Sequence, residues 1–390
     1  MSIKTLSKKM LAIVAAGAMT MGLAMPTSVF AAGGDTTNKA KEAYISKTYN
    51  TEVGKAEKFS FTATQNTEGT GLVKTPASVT IPDISFTTAQ TGTTKQRAKV
   101  KFPTYREAGE YEYTVTESQT ADPAVANGDG DHEKLIMSGA EYTMDVYVTE
   151  NEKTSALEIS NIIVKRTKDD AGKNANDVKV TDIGDDDANG FNFTNTYVQE
   201  AGTGTNPTNP DPDYTTYGSL DVSKIIKTDA ADKVDTNKEF EFTANFKFPT
   251  GTDGTTFGAK ATIEDSTTPI TSTNYTFKLK HNQNVKFTGL PVGTKISVTE
   301  SATPNYKGSA DVVINNGTKE TVTATKYDEV LTVSEKSLGQ NKNIVDVTNT
   351  YDYVPTTGII MNTLPYVLMI ALCGAALMAF VAFKRRRLQK

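Results

Sequence analysis

The chain has 390 residues, 37% of them hydrophobic, with a formal net charge of -5, one cysteine and no tryptophan. Its two ends hold eight Lys/Arg and no Asp/Glu, so residues 32–357 carry 33 basic against 46 acidic side chains. That excess excludes nucleic acid and anionic membrane surfaces as partners of this stretch, since both need basic patches. The cysteine, Cys373, lies in a terminal apolar run, which excludes disulfides between the ends.

The first segment reads as a secretory signal peptide over residues 1–31. Lys4, Lys8 and Lys9 are followed by an apolar run from about Met10 to Met25, then by Val29-Phe-Ala31 with small residues at a cleavage-like site. A first β domain is predicted over 34–198. Glu110-Tyr-Glu-Tyr-Thr-Val-Thr116 and Tyr142-Thr-Met-Asp-Val-Tyr-Val148 alternate at period two, and Asn127-Gly-Asp-Gly130 marks a turn. Residues 199–215 are poor in apolar side chains and rich in Pro, Gly and Thr, which predicts an exposed, semi-extended linker. A second β domain follows over 216–352. Its strands include Thr276-Phe-Lys-Leu-Lys280 and Lys295-Ile-Ser-Val-Thr299, and its turns Gly289-Leu-Pro-Val-Gly293 and Asn315-Asn-Gly317. No extended helical periodicity appears between the ends, so the class is all-β, with the strands arranged as sandwiches. At the far end, Leu364 to Phe383 is apolar and long enough to span a bilayer, and Lys384-Arg-Arg-Arg387 follows as a cytoplasmic stop.

The two β stretches repeat one another. Phe59-Ser-Phe-Thr-Ala63 recurs as Phe240-Glu-Phe-Thr-Ala244, Val115-Thr-Glu-Ser118 as Val298-Thr-Glu-Ser301, and Thr194-Asn-Thr-Tyr197 as Thr348-Asn-Thr-Tyr351. Each set is preceded by a strand-like segment with a lysine, Lys47 in one and Lys224 in the other. The recurring Lys, Glu and Asn are the ingredients of a self-forming amide cross-link: Lys47 with Asn195 and Glu117, Lys224 with Asn349 and Glu300. Burial lowers a lysine pKa and raises that of a glutamate, which makes the amine nucleophilic. A protonated glutamate would hydrogen-bond the asparagine carbonyl, polarise it and pass the proton to departing ammonia. Such a bond forms once, so the chain is not expected to be an enzyme. Duplication also copies residues that merely hold a fold, and solvated strand positions would equally carry Lys, Glu and Asn.

Val354-Pro-Thr-Thr-Gly358 precedes the apolar run and resembles the Leu-Pro-x-Thr-Gly signal of sortase substrates, with Val in place of Leu. The resemblance implies that residues 354–390 form a cell-wall sorting signal, cleaved by a sortase between Thr357 and Gly358. A plain membrane anchor is the alternative.

Together with Gly109-Glu-Tyr-Glu-Tyr-Thr-Val-Thr-Glu117, Phe193-Thr-Asn195 and Gly289-Leu-Pro-Val-Gly-Thr-Lys-Ile-Ser-Val-Thr-Glu300, these motifs resemble Gram-positive, sortase-assembled backbone pilins with isopeptide-linkage domains. The resemblance implies two tandem Ig-like, B-type β-sandwiches, each closed by a Lys–Asn bond. It implies localisation at the cell wall or pilus surface, with membrane tethering only before sorting. The implied partners are a sortase and neighbouring subunits or peptidoglycan. It also implies an intersubunit lysine late in the first domain. The stretch Asp185-Asp-Asp-Ala-Asn-Gly190 has none, which leaves Lys173 and Lys179 as candidates and leaves room for a minor or basal pilin. A monomeric wall-anchored adhesin binding a host or matrix ligand shares every one of these signals. No cofactor is expected. Asp129-Gly-Asp-His-Glu133 lacks calcium-loop spacing, and His132 and His281 fall in different domains, so no metal site is expected either.

Overall fold

The computed structural model describes residues 39–228, 234–351 and 357–387. The signal-peptide residues and Val354, Pro355 and Thr356 lie outside the described residues. The first half of the chain supplies eleven strands: β1 (Tyr44–Thr51), β2 (Glu57–Phe59), β3 (Phe61–Asn66), β4 (Ile84–Phe86), β5 (Gly92–Lys99), β6 (Gly109–Glu117), β7 (Glu133–Ile136), β8 (Glu141–Glu150), β9 (Leu157–Lys168), β10 (Asn174–Lys179) and β11 (Asn192–Gln199). The second half begins with a short helix, α1 (Pro212–Tyr217), and continues with β12 (Leu220–Lys227), β13 (Phe240–Lys247), β14 (Lys260–Ile263), β15 (Ser266–Pro269), β16 (Asn274–Leu279) and β17 (Gln283–Thr288). Then come β18 (Lys295–Glu300), β19 (Tyr306–Val313), β20 (Glu320–Thr323), β21 (Leu331–Ser337), β22 (Ile344–Tyr351) and the helix α2 (Thr357–Arg387).

Among the described residues the fold is all-β apart from two helices, and no sheet mixes strands from the two halves. In the first half, the sheet β5-β1-β11-β7 packs on the sheet β10-β9-β8-β6-β3, with β2 and β4 paired separately. Ring contacts close the space between the sheets: Phe61 to Phe193 at 5.2 Å and Tyr142 to Phe193 at 5.2 Å. In the second half, β15-β14-β17-β12-β22-β19-β20 packs on β16-β13-β18-β21, with Phe246 and Phe277 against Phe287. Both halves share one topological feature. The first and last strands lie side by side and run parallel, β1 with β11 and β12 with β22.

The strands form because their apolar residues alternate, and the alternation sets which side chains enter the core. In β1, Ile45 and Tyr49 face inward, so Lys47 between them must do the same; in β12, Leu220, Val222 and Ile226 place Lys224 inward. Turn chemistry agrees with the expected positions. Asn315 and Asn316 adopt φ of 55° and 54° between β19 and β20, a conformation that suits Asn.

The segment 199–215 departs from the expected exposed linker. Gln199, Glu200, Ala201 and Thr203 are buried. The Ala201 amide donates to the Leu290 carbonyl, Gly202 to Gly339 and Gly204 to Gln340, which docks the backbone on the second sandwich. Gly202 has φ of 83°, and a Cβ there would lie 2.2 Å from the Gly218 carbonyl oxygen, so only glycine permits this approach. Glu200 is the hub of the junction. Its carboxylate accepts from Tyr214 Oη at 2.5 Å, Ser219 Oγ at 3.0 Å and the Gly289 amide, and it pairs with His132 Nδ1 at 2.7 Å. Side-chain composition suggested solvent here, whereas main-chain hydrogen bonding and one buried carboxylate hold the segment down. Helix α1 was likewise not foreseen, although Asp211 caps it and Pro212 opens it.

Candidate functional site

Each half contains one buried Lys–Glu–Asn cluster, and the six residues are those the repeats single out. Lysine and asparagine come from the adjacent parallel strands of one sheet, and the glutamate from the facing sheet. The register is the same in both halves. Tyr49, two residues after Lys47, pairs with Asn195, and Ile226, two residues after Lys224, pairs with Asn349. The glutamates pair with equivalent phenylalanines, Glu117 with Phe61 and Glu300 with Phe242.

In the first cluster, Lys47 Nζ donates to Glu117 Oε2 at 2.5 Å and Asn195 Nδ2 donates to Glu117 Oε1 at 2.5 Å. In the second, Lys224 Nζ donates to Glu300 Oε1 at 2.6 Å and Asn349 Nδ2 to the same oxygen at 2.8 Å. Lys47, Asn195 and Lys224 have no exposed surface at all, so neither amine is solvated. Each amine sits 4.1 Å from a phenylalanine ring centroid, Phe59 in one half and Phe240 in the other.

Burial dominates the electrostatics. It pulls the Lys47 and Lys224 amines down to about 8 against the opposing pull of their glutamates. Burial also pushes the Glu117 and Glu300 carboxyls up, although lysine and asparagine donors work against it. Each pair is therefore poised to pass one proton from amine to carboxylate, giving a neutral amine beside a neutral acid.

The expected contact between glutamate and the asparagine carbonyl is not the one present. Each glutamate holds the amide nitrogen instead, because an ionised carboxylate only accepts and Nδ2 is the donor. The carbonyl Oδ1 of Asn195 accepts from the Ser138 backbone N–H at 2.8 Å, whereas Asn349 Oδ1 is buried without a hydrogen-bond partner. Several other residues shape the clusters without having been singled out: Phe59 and Phe240 beneath the amines, Ser138 beside Asn195, and Gly308 opposite Asn349 in β19. A Cβ on Gly308 would lie 3.2 Å from Asn349 Oδ1 and 3.3 Å from Glu300 Oε2. The phenylalanines were visible as repeats, but no local pattern marks Ser138 or Gly308.

Lys173 and Lys179 are not part of either cluster. Lys173 is exposed in the turn before β10 and Lys179 exposed on β10, an edge strand. Thr357 and Gly358 stand at the start of α2, of which Tyr366–Arg385 is long and apolar enough to cross a membrane. His132 faces Glu200, while His281 Nδ1 accepts from the Ile226 amide at 2.9 Å.

A family described as a domain of unknown function, DUF7601, matches residues 218–351, the span of the second sandwich. No curated protein matches the chain. Among solved structures, the chain is similar to the major pilin protein T3.2 of Streptococcus pyogenes, with 19% identity, 80% of this chain and 99% of that one covered, and a TM-score of 0.32. It is similar at 18% identity and the same TM-score to another Streptococcus pyogenes major pilin, covering 80% of this chain and 100% of that one. A pilus-presented adhesin is similar at 10% identity and a TM-score of 0.26, with 79% and 100% covered.

Proposed function

We propose that the chain is a pilin-type surface protein, anchored or polymerised by a sortase at Thr357, whose two sandwiches are each closed by a Lys–Asn isopeptide bond. One observation carries the closure: two buried Lys–Glu–Asn clusters recur in the same strand register and between the same structural partners. Each amine lies over an equivalent phenylalanine, and a buried ion pair contributes little net stability, which favours a chemical role for these residues.

The chemistry follows from the geometry. Glu117 takes a proton from Lys47 Nζ. The neutral amine attacks Asn195 Cγ, the new C–N bond forms, and the Cγ–Nδ2 bond breaks. Glu117 gives its proton to the departing Nδ2, which leaves as ammonia, and takes the second proton from the attacking Nζ, so that a neutral amide remains beside a protonated Glu117. Its position on Nδ2 suits this last step, because the acid already touches the leaving nitrogen. Glu300 plays the same part for Lys224 and Asn349. The anchoring half of the proposal rests on Val354-Pro-Thr-Thr-Gly358, the apolar helix and the basic residues after it. Lys173 and Lys179, both exposed, are the proposed acceptors for a neighbouring subunit's threonine.

The test is the intact mass of the full chain recovered from expressing cells. Closure removes one ammonia per sandwich, and a mass matching the uncondensed sequence overturns it. Polymerisation is tested separately in cell-wall extracts under denaturing conditions. A ladder is expected, and a single band would leave a wall-anchored monomer.

A further inference from the structure

Besides which glutamate oxygens are used, the two clusters differ at the asparagine carbonyl. Attack on Cγ builds negative charge on Oδ1, and a donor already aimed at that oxygen lowers the barrier. In the first cluster the Ser138 N–H fills this role at 2.8 Å. In the second, Asn349 Oδ1 has no hydrogen-bond partner and faces the bare backbone of Gly308.

The Ser138 donor is held in place by a dedicated set of bonds. Asp170 Oδ1 accepts from Ser138 Oγ at 2.5 Å and also from the backbone amide of Thr194, next to the reacting Asn195, at 2.8 Å. The Asp170 carbonyl accepts from the Gly139 amide at 2.7 Å, and Gln119 Nε2 donates to the Ser138 carbonyl at 2.8 Å. A Cβ on Gly139 would meet the Gly172 backbone nitrogen at 2.9 Å, so the loop fits only with glycine there. Asp170 thus ties the loop that carries the donor to the strand that carries the acceptor.

We propose that the Ser138 N–H is a catalytic oxyanion donor of the first cluster, that Asp170 is its positioning residue, and that the Lys47–Asn195 bond consequently closes before Lys224–Asn349. The proposal rests on the closure reading above. It does not follow from that reading, which treats the two clusters as equivalent.

The experiment is a pulse-chase of the full chain with isotope-labelled amino acids. Samples are quenched in denaturant and digested, and the two cross-linked peptides are quantified against their unlinked forms. The first bond is expected to form faster, with one such donor worth up to about 10²–10³-fold in rate. Asp170→Ala should slow the first bond and leave the second unchanged, the second serving as the folding control within each molecule. Asp170→Asn keeps an acceptor oxygen without the charge and should restore the rate, which a purely electrostatic role would not allow. Equal half-times in the unmodified chain, or an unchanged first bond in Asp170→Ala, would overturn the ordering while leaving closure intact. Absence of both cross-linked peptides would overturn closure and this proposal with it.

Discussion

Replacing Glu117 by Gln keeps the size of the side chain and removes its charge and its proton-transfer capacity. Two costs follow, and the structure separates them. First, the bond does not form, so a loop of about 150 residues stays open; by the chain-entropy relation for cross-links this forfeits about 5 kcal/mol. Second, Lys47 is left with no exposed surface and no carboxylate at the 2.5 Å contact, and breaking one side of a buried pair costs about 3–5 kcal/mol. Glu117 is the main group opposing the downward shift of Lys47, ahead of Asp170, so its loss drives the lysine further down, and whatever fraction folds holds a neutral amine. Both costs together rival the whole stability of an ordinary domain, about 5–15 kcal/mol, so Glu117→Gln is expected to leave the first sandwich largely unfolded at physiological temperature. The double variant Lys47→Met with Glu117→Gln removes the stranded amine and should recover the second cost while retaining the first. Intact mass reads the bond, and denaturant titration reads the stability, with the second sandwich as reference. Loss of two ammonia molecules in Glu117→Gln, or a double variant that unfolds at the same denaturant concentration as the unaltered chain, would refute this.

Gly308→Ala should slow the second bond and spare the first, because the added methyl sits 3.2 Å from Asn349 Oδ1 and 3.1 Å from Leu331 Cβ; peptide mapping that shows both bonds delayed alike would contradict it. The closure rate should be level across neutral pH, because the reactive pair of neutral amine and neutral acid holds the same single proton as the ion pair. It should fall above about 8, where Lys47 gives up that proton, and fall again in acid below the raised pKa of Glu117; a rate that keeps climbing beyond pH 8 in refolding assays would refute the shuttle. In Asn195→Ala, which cannot close, the depressed lysine pKa makes the unfolded state bind more protons between about 8 and 10.5. Its unfolding free energy should therefore rise with pH across that window, as denaturant titration at several pH values would read.

Much of this site was legible before any coordinates. The clearest signal is phase: Lys47, Lys224, Glu117, Glu300, Asn195 and Asn349 each occupy the inward step of an alternating strand, as with Tyr111, Tyr113 and Val115 before Glu117. A polar residue on the inward step is either a misread strand or a buried group with a purpose, and its recurrence in a second copy argues for purpose. The neighbours across the sheets were not legible, since Ser138 and Gly308 lie 57 and 41 residues from the asparagines they approach and nothing local marks them. The junction misled for another reason. Its stability comes from backbone amides and from Glu200, and a composition count registers neither.

The junction matters most under tension. β1 and β11 are parallel and adjacent, so a pull entering at the start of β1 and leaving at the end of β11 would shear the two strands past each other. With Lys47 bonded to Asn195, that load passes through the side chains, and the residues from 48 to 194 carry none of it. A Lys224–Asn349 bond would bypass the second sandwich in the same way. The loaded chain then reduces to the β11–β12 connection, where main-chain hydrogen bonds, the Glu200 contacts and the Gln199 side-chain bonds resist extension. At about 3.5 Å per residue, freeing residues 200–218 adds less than about 70 Å of contour, whereas opening the first sandwich without its bond would add about 500 Å. Pulling the full chain in a single-molecule force instrument should therefore give one short extension and no long one. Glu200→Ala should lower the force of that short step, and Lys47→Met should introduce a long one. A long extension in the unaltered chain would mean that the first and last strands are not joined.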